Sequence, residues 1–331
     1  MNDVTQTARS GARVPDGRPR LLVLSQIAAE IVKPSREEFD VLMRPTTSKA
    51  DADVFLAREG PGVEVMLSAG GERVGADLMD QLPDLKAIVV MAAGIGGIEF
   101  EAARARGVAV TNAGDSNAED CADFALALFL GHRREVVYND QYVRAGLWAS
   151  KGRRPSGLAV GDDRVGVVGL GNIGKAVMRR LEPFGCELAW WGPRPKPDVS
   201  WARHGTLEDL AEWATTLIVT AVGDNSTRGL ISAEVIEKLG PDGLLINISR
   251  GFVVDEPALI AALKDGRLGG AALDVLEKEP NDGAGWLDVP NVVLAPHVAG
   301  STRAASRRMR ETALANIRAH FAGEPLRNRV D

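Results

Sequence analysis

Three polar side chains near the C-terminal end of the chain could together move a proton and bind an anion. Arg250 lies in NISRG, Glu279 in DVLEKEP and His297 in APHVAG. Each stretch follows an apolar segment that reads as a strand. Ligands of an open α/β sheet bind outside the carboxyl ends of its strands. We therefore expect these three side chains, and Asp274 in the second stretch, to lie around one site.

The three residue types suit reduction of a ketone. Hydride transfer leaves negative charge on the carbonyl oxygen, and histidine is the side chain that most readily supplies a proton near neutrality. A neighbouring carboxylate favours the imidazolium form, and an arginine can bind a substrate carboxylate and polarise the carbonyl. Each residue alone has an ordinary alternative: Arg250 as a surface arginine, Glu279 as a solvated acid, His297 as a hydrogen-bonded strand-end histidine.

The motif GLGNIG is typical of a dinucleotide-phosphate turn, since it lies between a predicted strand and a predicted helix. Gly169 permits the tight turn, Gly171 lets a pyrophosphate approach the backbone, and Gly174 lets helix and strand pack closely. The free N–H groups of Asn172 and Ile173 would face the phosphates from the helix N-terminus. The pattern predicts a bound dinucleotide.

The next strand ends where NAD-binding sites usually carry a carboxylate for the ribose 2′-hydroxyl. Here the sequence is Trp191-Gly192, followed by Arg194 and Lys196. No acid repels a 2′-phosphate, and an arginine can bind one. This pattern predicts NADP, with NADPH preferred. In the alternative, Arg194 is solvated and the protein uses both NADPH and NADH. Pro193 precedes Arg194, which departs from the commoner NADP pattern.

The elements that must position these residues alternate between strand and helix, which predicts parallel sheets with helices on both faces. We expect two doubly wound domains, a Rossmann nucleotide domain and a flavodoxin-like substrate domain, with a cleft between them. Asn117 is a predicted N-cap, and 139–161 is predicted to be loop. Predicted strands are 20–25, 63–68, 86–92, 108–112, 164–170, 187–191, 216–222, 244–249, 270–275 and 292–297; predicted helices are 74–82, 98–107, 117–136, 173–184, 256–266 and 301–323.

Composition sets outer bounds on function. The chain has 331 residues and a net charge of −6, which suits two domains and gives no electrostatic reason to bind nucleic acid or an anionic membrane. No apolar run has the length of a membrane span. Cys121 and Cys186 are expected to be buried thiols, without metal-ligand spacing, which favours a cytoplasmic location. Residues 1–19 are polar and predicted to be a disordered lead.

From about residue 63 onward the sequence resembles the D-isomer-specific 2-hydroxyacid dehydrogenase family. Within it, the chain is most similar to the glyoxylate/hydroxypyruvate reductase branch, through DCADFALAL and YVRAGLW. The resemblance is carried by LKAIVVMAAGIGGIE, VAVTNAGDSNAEDCADFALAL, VGVVGLGNIG, INISRGFVVDEPALIAALKDGRLGGAALDVLEKEP and APHVAGST.

The resemblance implies Arg250, Glu279 and His297 as the catalytic set. It also implies that Asp274 binds the nicotinamide carboxamide. The fold it implies has a discontinuous substrate domain, predicted as 20–112 plus 300–331, around a dinucleotide domain, predicted as 113–299. Two such chains would form a homodimer through the nucleotide domain.

The family pattern also points to substrate contacts. It implies that the N–H groups of Ala93 and Gly94 hold the substrate carboxylate. Met91 and Trp148 are expected to line the pocket. Trp148 matches a residue that reaches the partner's active site in related reductases, or it is an interface anchor. Two departures are Gly96, where the family often has an acid, and Val222, where proline is common.

The predicted reaction is NADPH-dependent reduction of small 2-keto acids, glyoxylate and hydroxypyruvate first, to D-2-hydroxy acids. Hydride would come from nicotinamide C4 and the proton from His297. Alternatives are a phosphoglycerate dehydrogenase-like enzyme, a reductase of bulkier 2-keto acids, and an NAD(H)-sensing corepressor-like binding module. A formate dehydrogenase is disfavoured, because that pattern has glutamine where this chain has Glu279.

Overall fold

The computed structural model describes residues 17–154 and 157–330, so the predicted disordered lead lies almost wholly outside the described residues. The chain divides into two compact units: residues up to Ser116 together with those from Ser306, and Asn117–Ala305. The predicted domain limits, after 112 and before 300, lie a few residues from these positions. What each unit binds stays a prediction at this point.

The first unit contains a parallel sheet with strand order β2-β1-β3-β4-β5 over its described residues. This is the flavodoxin-like order, and apolar residues pack on both of its faces. The second strand was not predicted from the sequence, because all four of its residues are only half-buried at the sheet edge. The strands are β1 (Arg20–Val23), β2 (Asp40–Met43), β3 (Val63–Ser68), β4 (Ala87–Val90) and β5 (Ala109–Thr111).

The second unit contains a parallel sheet whose order, over its described residues, is β12-β11-β10-β9-β6-β7-β8. The strand order reverses between β6 and β9. Strands β7 and β8 extend the sheet beside β6, and β10, β11 and β12 extend it beside β9, which is the doubly wound arrangement of Rossmann domains. Two doubly wound parallel sheets are therefore confirmed. Only the two-residue β8 was not predicted. The strands are β6 (Arg164–Val168), β7 (Glu187–Trp191), β8 (Ala202–Arg203), β9 (Thr216–Val219), β10 (Leu244–Asn247), β11 (Gly270–Leu273) and β12 (Val292–Leu294).

Helices connect most of the strands, and none among the described residues is long and apolar enough to cross a membrane. The α-helices are α1 (Gln26–Val32), α2 (Lys49–Glu59), α3 (Ala76–Met79), α4 (Phe100–Ala105), α5 (Ala118–Arg133), α6 (Val136–Arg144), α7 (Leu147–Lys151), α8 (Asn172–Leu181), α9 (Leu207–Trp213), α10 (Ala233–Leu239), α11 (Glu256–Lys264) and α12 (Arg303–Ala322). Short 3-10 helices occur at Lys33–Ser35, Val160–Asp162, Glu182–Phe184, Asn225–Thr227, Gly251–Val253 and Ala284–Trp286.

One local prediction is wrong and another is confirmed in part. The stretch predicted as loop at 139–161 contains α7 and most of α6, whose apolar residues face outward and so give no amphipathic pattern. Asn117 occupies the N-cap position of α5, as predicted, although its side chain makes no capping hydrogen bond.

A buried ion pair anchors the start of the second sheet, at the end opposite the glycine turn. Arg133 and Asp163 are both buried, and Arg133 Nη2 lies 2.7 Å from Asp163 Oδ1. The same carboxylate oxygen accepts the hydroxyls of Thr215 and Thr216. Burial lowers the pKa of the Arg133 guanidinium, and the Asp163 charge opposes that shift. These bonds hold the start of β6 against the start of β9 and so fix how the two strands are aligned.

Candidate active site

The glycine turn after β6 is shaped by close backbone contacts. Gly169 has a φ of +91°, and a Cβ there would lie 2.7 Å from Ala221 Cα. A Cβ at Gly174 would overlap the carbonyl oxygen of Gly169. The Thr220 hydroxyl donates to that same carbonyl at 2.6 Å. Both glycines are therefore required by packing, as the motif predicts.

Gly171 differs from the other two glycines because the space that a side chain would occupy is open. A Cβ at Gly171 would meet no atom within 4 Å. Gly171 is also the N-cap of α8 and supplies no side chain to the helix start, so the N–H groups of Asn172 and Ile173 have no capping partner. An open, side-chain-free helix N-terminus suits a phosphate. The residues present therefore fit a dinucleotide pyrophosphate.

The end of β7 combines a buried glycine with an exposed arginine. Trp191 is half-buried, and its carbonyl accepts the N–H of Gly169 at 2.8 Å. Gly192 is buried, and a Cβ there would lie 3.3 Å from the ring of Trp190. An acid at 192 would press on that buried ring, which gives a packing reason for glycine. Arg194 is exposed, and within residues 17–154 and 157–330 its side chain has no hydrogen-bond partner.

His297 and Glu279 form a hydrogen-bonded pair. His297 Nδ1 lies 2.6 Å from Glu279 Oε2, and the other carboxylate oxygen accepts the N–H of Leu276 at 2.9 Å. An ionised carboxylate only accepts hydrogen bonds, so Nδ1 carries the proton that it shares. The pair orients the ring and leaves Nε2 free to exchange a proton.

Asp274 holds the segment that carries the histidine. It is 1% exposed, and its two carboxylate oxygens accept the N–H groups of Val298 and Ala299 at 2.8 and 2.9 Å. Its carbonyl accepts the N–H of His297 at 2.8 Å. His297 has a φ of +55°, a conformation that non-glycine residues seldom adopt. Asp274 thus stabilises the unusual backbone at His297, and its predicted contact with a carboxamide stays a prediction.

Arg250 directly follows the segment that ends β10. Its Nη1 donates to the carbonyl of Ser249 at 2.7 Å. A Cβ on the following residue, Gly251, would overlap the carbonyl of Leu276, whose N–H is bound by Glu279. The loops carrying Arg250 and Glu279 are therefore in direct backbone contact.

The predicted substrate contacts of the first unit lie after β4. Among the described residues, the N–H groups of Ala93 and Gly94 donate no hydrogen bond. The carbonyl of Ala93 accepts Asn112 Nδ2 at 2.8 Å, which fixes this loop. Met91 is half-buried and packs against the core of the first unit. The two free N–H groups are available to an anion.

Comparison with known proteins assigns the family. Residues 126–299 match the family described as D-isomer specific 2-hydroxyacid dehydrogenase, NAD binding domain. A glyoxylate/hydroxypyruvate reductase of Arabidopsis thaliana is 36% identical over 87% of this chain and 90% of its own length. The chain belongs to the D-isomer-specific 2-hydroxyacid dehydrogenases.

Two other similar proteins illustrate the range of this dehydrogenase family. A hydroxyphenylpyruvate reductase of Plectranthus scutellarioides is 37% identical over 86% of this chain and 90% of its own length. The crystal structure of an NADPH-dependent glyoxylate/hydroxypyruvate reductase of Sinorhizobium meliloti, in complex with NADP and malonate, has a TM-score of 0.84 and 35% identity. The match covers 95% of this chain and 97% of that one.

Sequence reasoning missed one residue that shapes the site of this dehydrogenase. A Cβ at Gly223 would overlap Cγ of Arg250 and lie 2.9 Å from its Cβ. The arginine stem therefore occupies the space that a side chain at 223 would take. Nothing in the sequence around Gly223 marks this contact, because the two residues are 27 positions apart.

We expect Gly223→Ala to displace Arg250 and to lower kcat/KM with 2-keto acids about tenfold or more, since the added methyl must move the arginine stem. Affinity for NADPH should change little. Gly285→Ala is the matched control, because a Cβ at Gly285 would meet nothing within 4 Å. Steady-state kinetics of both variants decide the point, and equal rates would contradict the positioning role.

Cys121 is buried near the site but is held in its neutral form. Burial, together with the charges of Asp274 and Asp120, raises the pKa of its thiol to about 11, and the charge of Arg250 partly opposes this shift. Burial also raises the pKa of Cys186. Because the thiolate is the nucleophile, neither cysteine of this dehydrogenase is suited to covalent catalysis.

Proposed function

We propose that this dehydrogenase reduces small 2-keto acids, glyoxylate and hydroxypyruvate first, to D-2-hydroxy acids with NADPH. The observation that carries the proposal is the His297–Glu279 pair at 2.6 Å, which follows the carboxyl ends of β11 and β12 in a nucleotide-binding sheet. A proton donor at that edge is what ketone reduction requires. The similarity to glyoxylate/hydroxypyruvate reductases supports the substrate class.

Each catalytic residue has a distinct role in the proposed reaction. Bound NADPH supplies the hydride from nicotinamide C4. His297 Nε2 gives its proton to the developing alkoxide, while Glu279 holds the ring through Nδ1 and balances the imidazolium charge. Arg250 binds the substrate carboxylate and polarises the carbonyl. Asp274 maintains the backbone at His297 and is proposed also to contact the nicotinamide carboxamide.

The remaining substrate contacts are proposed from the first unit and from α7. The free N–H groups of Ala93 and Gly94 bind the substrate carboxylate, and Met91 lines the pocket. Trp148 either completes the pocket of a partner chain or anchors the interface. The first unit is thus the substrate-binding domain, and Asn117–Ala305 is the dinucleotide-binding domain.

Phosphates of the cofactor are proposed to bind at the turn formed by Gly169, Gly171 and Gly174, with Asn172 and Ile173 donating N–H groups. The 2′-phosphate binds beyond Trp191 and Gly192, where Arg194 is exposed and no acid follows the strand. The similar reductase of Sinorhizobium meliloti is NADPH-dependent and was crystallised with NADP. NADH serves as a poorer substitute.

A homodimer is proposed because apolar side chains are exposed on α6 and α7. Trp148 is 57% exposed, and Val136 and Val143 are also exposed. Large apolar residues clustered on one surface segment are typical of interfaces. A cytoplasmic location is proposed because both cysteines are free thiols.

The test is a matrix of kcat/KM values for NADPH and NADH against glyoxylate, hydroxypyruvate, pyruvate, 3-phosphohydroxypyruvate and 4-hydroxyphenylpyruvate. We expect the highest values with NADPH as the cofactor and with glyoxylate and hydroxypyruvate as the substrates. A maximum at 4-hydroxyphenylpyruvate would identify a reductase of bulkier acids, as in the Plectranthus relative. A maximum at the phosphorylated acid would identify a phosphoglycerate dehydrogenase-like enzyme. Absence of NADPH oxidation with every acid would favour a binding module and contradict the proposal.

A further inference from the structure

Strand β8, which the sequence did not reveal, carries an arginine to the cofactor end of the sheet. It pairs in parallel with β7, with Arg203 in register with Trp190. The N–H of His204 donates to the carbonyl of Trp190 at 3.0 Å and continues that pairing. Because β7 ends at Trp191, the sheet itself places Arg203 beside the residues that follow β7.

The guanidinium of Arg203 is fixed on two sides. Its Nη2 donates to the carbonyl oxygen of Gly192 at 2.8 Å. Its Cζ lies 5.6 Å from the ring centroid of Trp190, in cation–π contact. Trp190 is buried, and its Nε1 donates to the carbonyl of Trp201 at 3.1 Å. A rigid support therefore holds the cation at residue 192, the position where NAD-dependent proteins carry their ribose-binding acid.

The charge of Arg203 is not neutralised by a neighbour. Over residues 17–154 and 157–330, neither Arg203 nor Arg194 forms an ion pair. Asp198, an acid four positions after Arg194, is paired with Lys175 instead, with 2.8 Å between Oδ2 and Nζ. Arg203 is exposed, and its bond to Gly192 uses one of the five N–H donors of a guanidinium. Its other donors are available to an anion approaching residue 192.

We infer that Arg203 is a second phosphate-binding cation of the 2′ subsite and that it sets the preference for NADPH over NADH together with Arg194. The inference rests on the proposed function, which places the dinucleotide on the turn from Gly169 to Gly174. A fixed guanidinium forms charge-assisted hydrogen bonds to a phosphate with little loss of conformational entropy. A ribose 2′-hydroxyl carries no charge and gains much less from the same contact.

Arg203→Ala tests the inference through binding rather than turnover. The dissociation constant of NADPH, measured by fluorescence titration, should rise about 10- to 100-fold, as for a lost charge-assisted contact. The dissociation constant of NADH should not change. Adenosine 2′,5′-bisphosphate should lose affinity in the same proportion as NADPH, and 5′-AMP should lose none. Arg203→Lys, which keeps the charge without the planar donor array, should fall between wild type and Arg203→Ala.

Arg179→Ala is the matched control, because Arg179 is an exposed arginine of the same unit that pairs with Glu119 at 2.9 Å. Equal losses of NADPH and NADH affinity in Arg203→Ala would show that Arg203 only supports the Gly192 backbone, and would overturn the inference. Unchanged NADPH affinity in Arg203→Ala would also overturn the inference, but it would not contradict the proposed reduction of keto acids. Conversely, Arg203-dependent binding of adenosine 2′,5′-bisphosphate without turnover of any keto acid would support the inference and contradict only the proposed reaction.

Discussion

Replacing His297 with asparagine should lower kcat for keto-acid reduction by about 10²- to 10⁴-fold, the usual contribution of a positioned general acid. Asparagine cannot supply a proton to the alkoxide. It does tolerate the left-handed backbone found at His297, where φ is +55°, so the loop should keep its shape. The dissociation constant of NADPH, measured separately, should match that of the wild type.

The matched control for this change is His320→Asn. His320 Nε2 lies 3.2 Å from Glu64 Oε2, a second histidine–carboxylate contact placed in the first unit. Because that pair has no predicted catalytic role, its loss should leave kcat unchanged. If His297→Asn instead lost NADPH affinity and retained turnover at saturating cofactor, His297 would be a structural residue and the assignment would fail.

The sequence predicts the parts of the site that are set by local backbone requirements or by the shared edge of one parallel sheet. Gly169 and Gly174 have no room for a Cβ, and Gly171 leaves its face open, so the residue types alone mark the turn. The proximity of Glu279 and His297 could be predicted because both residues follow strands of one parallel sheet, and the carboxyl ends of those strands share an edge.

The contacts that the sequence does not predict are non-local. Gly223 matters only because the stem of Arg250 lies across it, and Arg203 only because β8 pairs with β7. A two-residue exposed strand has no hydrophobic alternation to reveal it. For a related reason α6 was missed: its apolar side chains, such as Val136 and Val143, face outward and obscure the helical period.

Replacing Arg250 with alanine should lower kcat/KM for glyoxylate by about 30-fold to several thousand-fold, the range of 2–5 kcal/mol for truncating one partner of a desolvated charge pair. The guanidinium would no longer bind the substrate carboxylate or polarise the carbonyl. Arg250→Lys should recover only part of the loss, since an ammonium cannot match both carboxylate oxygens at once. Initial rates at saturating NADPH measure the effect.

Substrate structure separates this role from a general loss of folding. Glyoxylamide lacks the carboxylate charge, so wild type should prefer glyoxylate and Arg250→Ala should lose most of that preference. Arg104→Ala provides the control. Arg104 is an exposed arginine that pairs with Glu101 on its own helix. Arg308 is less suitable as a control, because its side chain donates to the carbonyl of Ser116. If Arg250→Ala lowered activity equally with both substrates, Arg250 would not be the carboxylate ligand, and the free N–H groups of Ala93 and Gly94 would have to supply that contact.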